Sequence, residues 1–424
     1  MNYQVYDEGA YKLHCIRSNN FKKTNIIINF KRKADKKELS LRALLPRTLM
    51  ESTQKYKTAR EMIIETENLY NLYLNTNCYL SGNYNIIRFD ATFLNNDYTE
   101  ENLFEKAVDF ILEIITNPNI KNNAFDEKTF SITKDILKEE IETFNDDPNR
   151  YSFLRLYKEI DRKSIYASCI LGTLKELEKI TPKKLYNYYK SVIESDQIDI
   201  FVISPLDKET VRDTITKKLN LKNRKAFTES HYIDYTKYHK KPKVVKETSE
   251  YEQSKLLIAC KFDTLTDFEM KYVSLVYSYI LGGSPSSKLF QTVREKNSLC
   301  YSISSSFKPL NKFLIISSGI NPDSFKRAYR LIKKEIKNME KGNFEKNKIE
   351  EAKVTYRAGL EEIKDSPSAL LNTYIAHEYI NTDLLDERYS KIGDVTYEDV
   401  VEFAKKVHID TVYLLEGAEE DAKK

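Results

Sequence analysis

Residues 286–304, SSKLFQTVREKNSLCYSIS, place two side chains with useful donor chemistry at one predicted helix-to-strand corner. Arg294 lies near the end of the predicted helix, and Tyr301 follows seven residues later on the predicted strand. A guanidinium can hold backbone carbonyls with its fork of N–H donors, and a phenol O–H can donate to an oxygen that becomes negative during a reaction. The pair is therefore a candidate substrate-binding site. The alternative is a core tyrosine beside a surface arginine at a helix end.

Strand periodicity adds a prediction about where the tyrosine points. Alternate residues of a strand share one face, so Tyr301 should share its face with Leu299, Ile303 and Phe307. The serines between them should occupy the other face. The apolar residues of the preceding helix should leave Arg294 at the edge of the buried face.

The composition excludes several classes of protein. The chain has 424 residues, 41% of them hydrophobic, which is enough for two or three domains with proper cores. Lys and Arg number 68 against 64 Asp and Glu, a net charge of +4 without a basic stripe, so no nucleic-acid partner is expected. Only 10 residues are glycine, and neither GxGxxG nor GxxxxGK[ST] is present, which argues against a phosphate-binding loop.

The lack of recognisable targeting segments and the pattern of the cysteines both favour a cytoplasmic location. No apolar run approaches the roughly 18 residues of a membrane-spanning helix, and the first residues lack the apolar segment of a signal peptide. The five cysteines are dispersed and never form CxxC, as expected of buried free thiols in a reducing compartment. We therefore expect a cytoplasmic chain that does not associate with membranes.

The chain contains a long internal repeat. The strand KTNIIINF in the first half corresponds to QSKLLIACKF in the second, and each is followed by a helix, two strands and two long helices. Phe125 aligns with Phe344 and Pro148 with Pro367, both at an offset of 219 positions. A shared offset and a shared order of elements indicate a duplication.

The duplication predicts an α+β fold of two homologous domains. Each domain should contain a mostly antiparallel sheet with its helices packed on one face. We assign residues 1–225 to the first domain and 253–424 to the second. The polar, Lys- and Tyr-rich segment 226–252 between them is interpreted as a linker.

These features together resemble one family of peptidases. The two-repeat plan, the segment SPSSKLFQTVREKNSLCYSIS and the LGT–helix–ITPKKL–strand tail of the first repeat are similar to the insulinase/pitrilysin/mitochondrial-processing-peptidase family. The resemblance covers nearly the whole chain. It implies that the second domain supplies an Arg–Tyr pair to a peptidase site, and Arg294 and Tyr301 match that pair residue for residue.

The same resemblance implies a zinc site that this sequence lacks. Active members carry H-x-x-E-H in the first repeat and a glutamate further along as third ligand. The matching stretch here, ALLPRTLMEST, puts Ala43 and Arg47 at the histidine positions and Pro46 at the glutamate position. Of the two glutamates Glu139 and Glu140, Glu140 is the better match to the third ligand. We interpret these positions as degenerate and predict no metal ligands and no cofactor in this chain.

No other histidine restores a metal site by its spacing. No histidine occurs between His14 and His231. The segment HEYIN, residues 377–381, nearly spells H-E-x-x-H, but asparagine stands at its last position, so we interpret His377 as structural or solvent-facing. The remaining histidines show no metal-ligand spacing, and there is no recognisable Ser or Cys triad; they are His14, His231, His239 and His408.

The resemblance implies a division of labour between two chains. In some bacterial members one subunit carries H-x-x-E-H and a homologous partner carries the Arg–Tyr pair. We expect this chain to be the second kind. Alone it would be inactive and could form a homodimer, and it would be active only in a heteromeric zinc endopeptidase whose zinc and H-x-x-E-H lie in the partner. Its substrate would be a peptide that binds partly as an added strand.

Three other functions remain open at this point. The chain could be a catalytically dead peptide-binding or scaffold protein that assists peptide processing or protein modification. It could be an independent hydrolase with a different site, or a structural subunit like the non-catalytic core proteins of respiratory complexes. Full function of Arg294→Ala and Tyr301→Phe variants would favour the scaffold.

Overall fold

The computed structural model describes residues 2–224, 227, 229–233, 235 and 238–418. Residues at both ends of the chain, the last residue of the predicted first domain and part of the predicted linker therefore lie outside the described residues: 1, 225, 226, 228, 234, 236, 237 and 419–424. No helix in the described ranges is long and apolar enough to cross a membrane. The five cysteines are free; Cys15, Cys260 and Cys300 are buried, and the other two are partly exposed.

The described residues form strands and helices that include the repeated order of elements predicted from the duplication. The strands are β1 (Asn2–Asp7), β2 (Lys12–Arg17), β3 (Lys23–Lys33), β4 (Tyr73–Ser81), β5 (Tyr84–Leu94), β6 (Ile120–Lys121), β7 (Ala124–Phe125), β8 (Gln197–Ser204), β9 (Lys243–Thr248), β10 (Ser254–Phe262), β11 (Cys300–Lys308), β12 (Phe313–Ile320) and β13 (Val407–Glu416). The helices are α1 (Leu39–Glu51), α2 (Ala59–Asn68), α3 (Leu103–Thr116), α4 (Glu127–Glu142), α5 (Pro148–Ile160), α6 (Leu174–Glu178), α7 (Pro182–Ser195), α8 (Lys208–Lys218), α9 (Ser274–Gly282), α10 (Phe325–Glu340), α11 (Asn347–Lys364), α12 (Pro367–Ile380), α13 (Leu385–Lys391) and α14 (Tyr397–Lys405).

Two compact units divide the chain, and neither is continuous in sequence. Unit 1 comprises the described parts of Met1–Thr143, Cys169–Ser230 and Ile363–Tyr379. Unit 2 comprises those of Phe144–Ser168, His231–Glu362 and Ile380–Lys424. Each repeat therefore contributes one helix, α5 or α12, to the unit built mainly by the other repeat. These two helices begin at the prolines that the offset of 219 aligns.

Unit 1 is built on a six-stranded sheet with the order β1-β2-β8-β3-β5-β4. All neighbouring strands are antiparallel except β2 and β8, which run parallel. One face of β3, with Ile26, Ile28 and Phe30, packs in a core with residues of α1, α3 and α7. The opposite face carries Asn25, Asn29 and other polar groups, and α12 packs there through ring contacts such as Tyr374 with Tyr3, at 4.5 Å between centroids.

Unit 2 repeats this plan with a five-stranded sheet in the order β11-β12-β10-β13-β9. Here β13 and β9 form the parallel pair, so β9 stands where β2 stands in unit 1. Leu156 and Ile160 of α5 pack on the face that bears Leu257, Ala259 and Phe313. The predicted α+β class with two homologous, mostly antiparallel domains is confirmed. The strand β9 lies within the segment that the sequence assigns to a linker.

Candidate functional site

Hydrogen bonds between backbone groups form the corner that carries Arg294. The segment Phe290–Glu295 is a π-helical turn, an irregularity that is frequent at functional sites. At its end, the N–H groups of Ser298 and Leu299 donate to the carbonyls of Arg294 (2.8 Å) and Val293 (3.0 Å). Ser298 has φ +50°, so the helix ends in a left-handed residue that turns the chain into β11.

A β-bulge decides the direction of Tyr301. In the pairing of β11 with β12, Cys300 lies opposite Ile320 while Ser302 lies opposite Gly319, so Tyr301 has no residue of its own opposite it. A bulge inserts one extra residue and re-aims the side chains on either side of it. Tyr301 is consequently 77% exposed.

The exposure of Tyr301 overturns one prediction. Ile303 and Phe307 are buried, at 5% and 8% exposure, whereas Tyr301 points to solvent. The prediction that these three side chains share one face is therefore wrong, because regular alternation is interrupted by the bulge. The interpretation of Tyr301 as a core aromatic is also wrong.

Arg294 and Tyr301 lie together at the surface of unit 2. The guanidinium carbon of Arg294 lies 5.5 Å from the centroid of the Tyr301 ring and 4.5 Å from that of Phe290. Its side chain is 38% exposed, and its Nε lies 3.6 Å from a carboxylate oxygen of Glu295. The arginine is therefore held over two rings, and both its donors and the phenol O–H remain accessible to a ligand.

This exposure predicts that removing the phenol oxygen leaves stability unchanged. Tyr301→Phe should alter the free energy of unfolding by less than about 0.5 kcal/mol, because an exposed surface group is involved. The matched control is Tyr413→Phe, whose buried hydroxyl donates to Glu247 at 2.9 Å and whose loss should cost about 1.5–3 kcal/mol. Urea denaturation of both variants measures this. Equal losses would mean that Tyr301 is a structural residue.

The structure also brings together the degenerate zinc-motif residues. Ala43, Pro46 and Arg47 lie on α1, and Glu140 lies on α4. Arg47 donates through Nη2 to Glu140 Oε2 at 2.6 Å and through Nη1 to the carbonyl of Ala43 at 2.5 Å. Glu140 and Arg47 thus form a partly exposed ion pair. Arg47 occupies a histidine position of the zinc motif, and Glu140 occupies the position of the third ligand.

The donor set at these positions does not fit zinc. Ala43 has no donor atom in its side chain, and Pro46 has neither a side-chain donor nor a carboxylate that could act as a base. The Arg47 side chain offers only N–H donors, and these already bond to Glu140 and to a carbonyl. Glu140 alone cannot hold the ion, so we derive no hydrolytic step in this chain.

A cavity of about 320 Å³ adjoins the degenerate positions. Pro46, Arg47 and Glu140 line it together with Thr76 and Asn77 of β4. In the order of the described strands, β4 forms an edge of its sheet, where a backbone can add as a further strand. The cavity therefore adjoins this sheet edge in unit 1.

One histidine cluster was not predicted from the sequence. His14, Asp199 and Glu378 each place one potential ligand atom within 4.8 Å of those of the other two. Burial lowers the pKa of His14 to about 3 and raises the pKa of Asp199. The three residues are far apart in the chain, so their spacing carried no signal. The only hint was Glu378 within HEYIN.

The remaining histidines make individual polar contacts. A ring nitrogen of His239 lies 3.0 Å from Asp410, and one of His408 lies 3.0 Å from Asp263. His377 is partly exposed and does not belong to the metal-compatible group, whereas the adjacent Glu378 does. These arrangements favour structural roles.

The fold and the two sites define a class of protein. The duplicated α+β units, the Arg–Tyr pair of unit 2 and the degenerate helix motif of unit 1 describe a peptidase-like chain without its hydrolytic metal site. Sequence comparisons agree: residues 33–174 match the family "Insulinase (Peptidase family M16)", and residues 179–356 match "Peptidase M16 inactive domain".

Relatives and solved structures extend this result to the whole chain. The chain is 27% identical over 416 residues, 97% of either chain, to "Probable inactive metalloprotease YmfF" of Bacillus subtilis. It superposes on a conserved protein from Enterococcus faecalis with a TM-score of 0.91 and 25% identity, covering 99% of this chain and 100% of the other. A structure entitled peptidase M16 inactive domain, from Pseudomonas fluorescens, gives 0.81 at 16% identity, with 99% of both chains covered. The chain belongs to the M16 insulinase family, and the stretch that matches the family's zinc motif lacks its histidines and its glutamate.

Proposed function

We propose that this chain is the non-catalytic partner subunit of a cytoplasmic zinc-dependent peptidase. A homologous subunit with H-x-x-E-H would bring the metal, and this chain would bring Arg294 and Tyr301. The observation that carries the proposal is the contrast between the two sites. The hydrolytic motif has been replaced by an ion pair, while the Arg–Tyr pair is intact, exposed and aimed outward by a bulge.

The chemistry of the pair suits peptide cleavage by a partner. Negative charge develops on the carbonyl oxygen of the scissile bond in the transition state, and the Tyr301 O–H can donate to it. The Arg294 guanidinium can hold neighbouring backbone carbonyls with its fork of donors. In unit 1, the β4 edge beside the cavity offers a peptide backbone a place to add as a strand.

The test is peptidase activity of this chain, of an H-x-x-E-H candidate and of their mixture, on a fluorogenic peptide library. We expect activity that depends on both chains, and Arg294→Ala or Tyr301→Phe should lower kcat of the mixture by about 10²–10³-fold. The candidate to test is a homologous chain of similar length with H-x-x-E-H, sought first among the neighbouring genes.

Unit 2 contains a matched control pair. The guanidinium carbon of Arg357 lies 4.9 Å from the ring centroid of Tyr389, which is 44% exposed. Arg357→Ala and Tyr389→Phe therefore remove a second stacked Arg–Tyr contact, and they should leave activity unchanged. The proposal would be contradicted if the H-x-x-E-H chain had the same activity with and without this chain. It would also be contradicted if the variants at Arg294 and Tyr301 had full activity in the mixture. The second of these results would favour a peptide-binding scaffold.

A further inference from the structure

The polar face of the sheet in unit 1 contains a buried group of metal-compatible side chains. His14 lies on β2 and Asp199 on β8, the two parallel neighbours, and Glu378 lies on α12, which packs on this face. His14 and Asp199 have no exposed surface, and the Glu378 side chain is 21% exposed. These residues take no part in the Arg–Tyr pair or in the degenerate motif on α1.

The imidazole of His14 has one satisfied and one unsatisfied nitrogen. Nδ1 lies 2.8 Å from the hydroxyl oxygen of Tyr3, and the ring stacks on Phe201 at 4.1 Å between centroids. Nε2 is buried and has no hydrogen-bond partner among the described residues. A proton on Nε2 would be an unpaired buried donor, and a lone pair there would be an unpaired acceptor, so either tautomer is incomplete without a further atom.

The surrounding groups hold the carboxylates in position. Asp199 accepts from the hydroxyl of Tyr379 at 2.9 Å and from the amide of Gln197 at 3.3 Å. Hydrogen bonds of this kind orient carboxylates that bind metals, and the Nδ1 contact of His14 would do the same for the imidazole. The cluster therefore has an organised second layer of contacts.

Two lysines place positive charge near the carboxylates of Asp199 and Glu378. Lys12 donates to Glu378 at 2.6 Å, and its side chain is 33% exposed. Lys31 is buried, with its amino group 4.2 Å from the centroid of the Tyr379 ring. A bound cation would displace Lys12, whose long side chain can reach solvent from this position.

We propose that His14, Asp199 and Glu378 bind a first-row divalent transition-metal ion. One imidazole and two carboxylates suit Mn²⁺, Fe²⁺ or Zn²⁺, whereas an imidazole ligand disfavours Mg²⁺ and Ca²⁺. Ligand atoms about 2.0–2.2 Å from one ion lie roughly 3–4 Å apart, so atoms already within 4.8 Å of one another need only small rotations. The ion would tie α12 to the sheet. This departs from the expectation, drawn from the degenerate motif on α1, that the chain binds no metal.

The test uses the full chain alone, so it is independent of any peptidase partner. Chelator-treated protein is titrated with Co²⁺, followed by its visible absorption, and Zn²⁺ is used as competitor. We expect saturation at one ion per chain and a rise in Tm of about 3 °C at a hundredfold excess over Kd. Glu378→Gln should weaken binding at least about 10–100-fold. Lys12→Met should strengthen binding, because it removes the competing charge.

The neighbouring histidine supplies the matched control. His377→Gln changes a histidine of the same helix outside the cluster and should leave Kd unchanged. Absence of saturable binding in both the unmodified chain and Lys12→Met would overturn the proposal. Binding that survives both Glu378→Gln and His14→Gln would overturn it too. If His14→Gln does not fold, the opposite shifts expected of Glu378→Gln and Lys12→Met decide the question.

Discussion

Substituting Ala43→His, Pro46→Glu and Arg47→His together should create a Zn²⁺ site that the unmodified chain does not have at these positions. Positions 43 and 47 are four residues apart on α1, and the side chain at 47 already reaches Glu140. Two imidazoles on one helical face and a carboxylate from α4 complete a three-ligand site with an open fourth position. We expect a Kd in the micromolar range or tighter, which corresponds to about 8 kcal/mol of binding free energy.

The measurement is the zinc-to-chain ratio at equilibrium, with Glu378→Gln present in every variant so that the sheet-face cluster is not counted. The control adds Glu140→Gln to the three substitutions and should lose most of the gained affinity. Pro46→Glu should not harm the helix, because proline in a helix interior removes a backbone donor. A folded triple variant that gains no zinc would show that positions 43 and 47 do not face Glu140 as ligands must.

Removing the buried guanidinium of Arg42 should destabilise the protein by about 3–5 kcal/mol. Arg42 is 1% exposed and donates through Nη1 to Asp196 at 2.7 Å. Its Nη2 donates to the carbonyls of Phe30 at 2.8 Å and Asn85 at 3.0 Å. Burial acts to lower the pKa of Arg42, but the charge and hydrogen bond of Asp196 raise it above its ordinary value. In Arg42→Met, the carboxylate of Asp196 would keep its hydrogen bond from Arg32 Nε, at 2.6 Å, but would lose the one from Arg42. The carbonyls of Phe30 and Asn85 would also lose the Arg42 donor.

The measurement is the midpoint and slope of urea unfolding for Arg42→Met. The matched control is Arg47→Met, five residues along the same helix, whose ion pair with Glu140 is partly exposed and should contribute only about 0–1 kcal/mol. If Arg42→Met lowered the free energy of unfolding by only about 0–1 kcal/mol, as expected for Arg47→Met, the Arg42 ion pair would contribute no more than a surface pair.

Local patterns were enough to predict the repeated architecture. The apolar strand segments, the amphipathic helices and the offset of 219 positions depend on residues that are close in sequence, and each confirmed element follows from such a pattern. The missing zinc motif is equally local, since H-x-x-E-H requires particular residue types within five positions. The family and its degenerate site were therefore accessible from the sequence.

The strand β9 shows where local patterns fail. Lys243–Thr248 alternates between half-buried and exposed side chains at the edge of its sheet, and its composition is polar. Edge strands bury little apolar surface, so their sequences resemble those of linkers. Its parallel pairing with β13 joins residues more than 160 positions apart, and no short window contains that information.

By itself the sequence determined the two repeats, their elements and the loss of the hydrolytic ligands, because these depend on residue type and short-range periodicity. Only the tertiary structure decided the exposure of Tyr301, which depends on how β11 is paired with β12 at the bulge. It also decided that α5 and α12 each join the other repeat's unit, and that His14, Asp199 and Glu378 meet. All three outcomes depend on contacts between distant segments, whose register and packing are determined by the folded core as a whole.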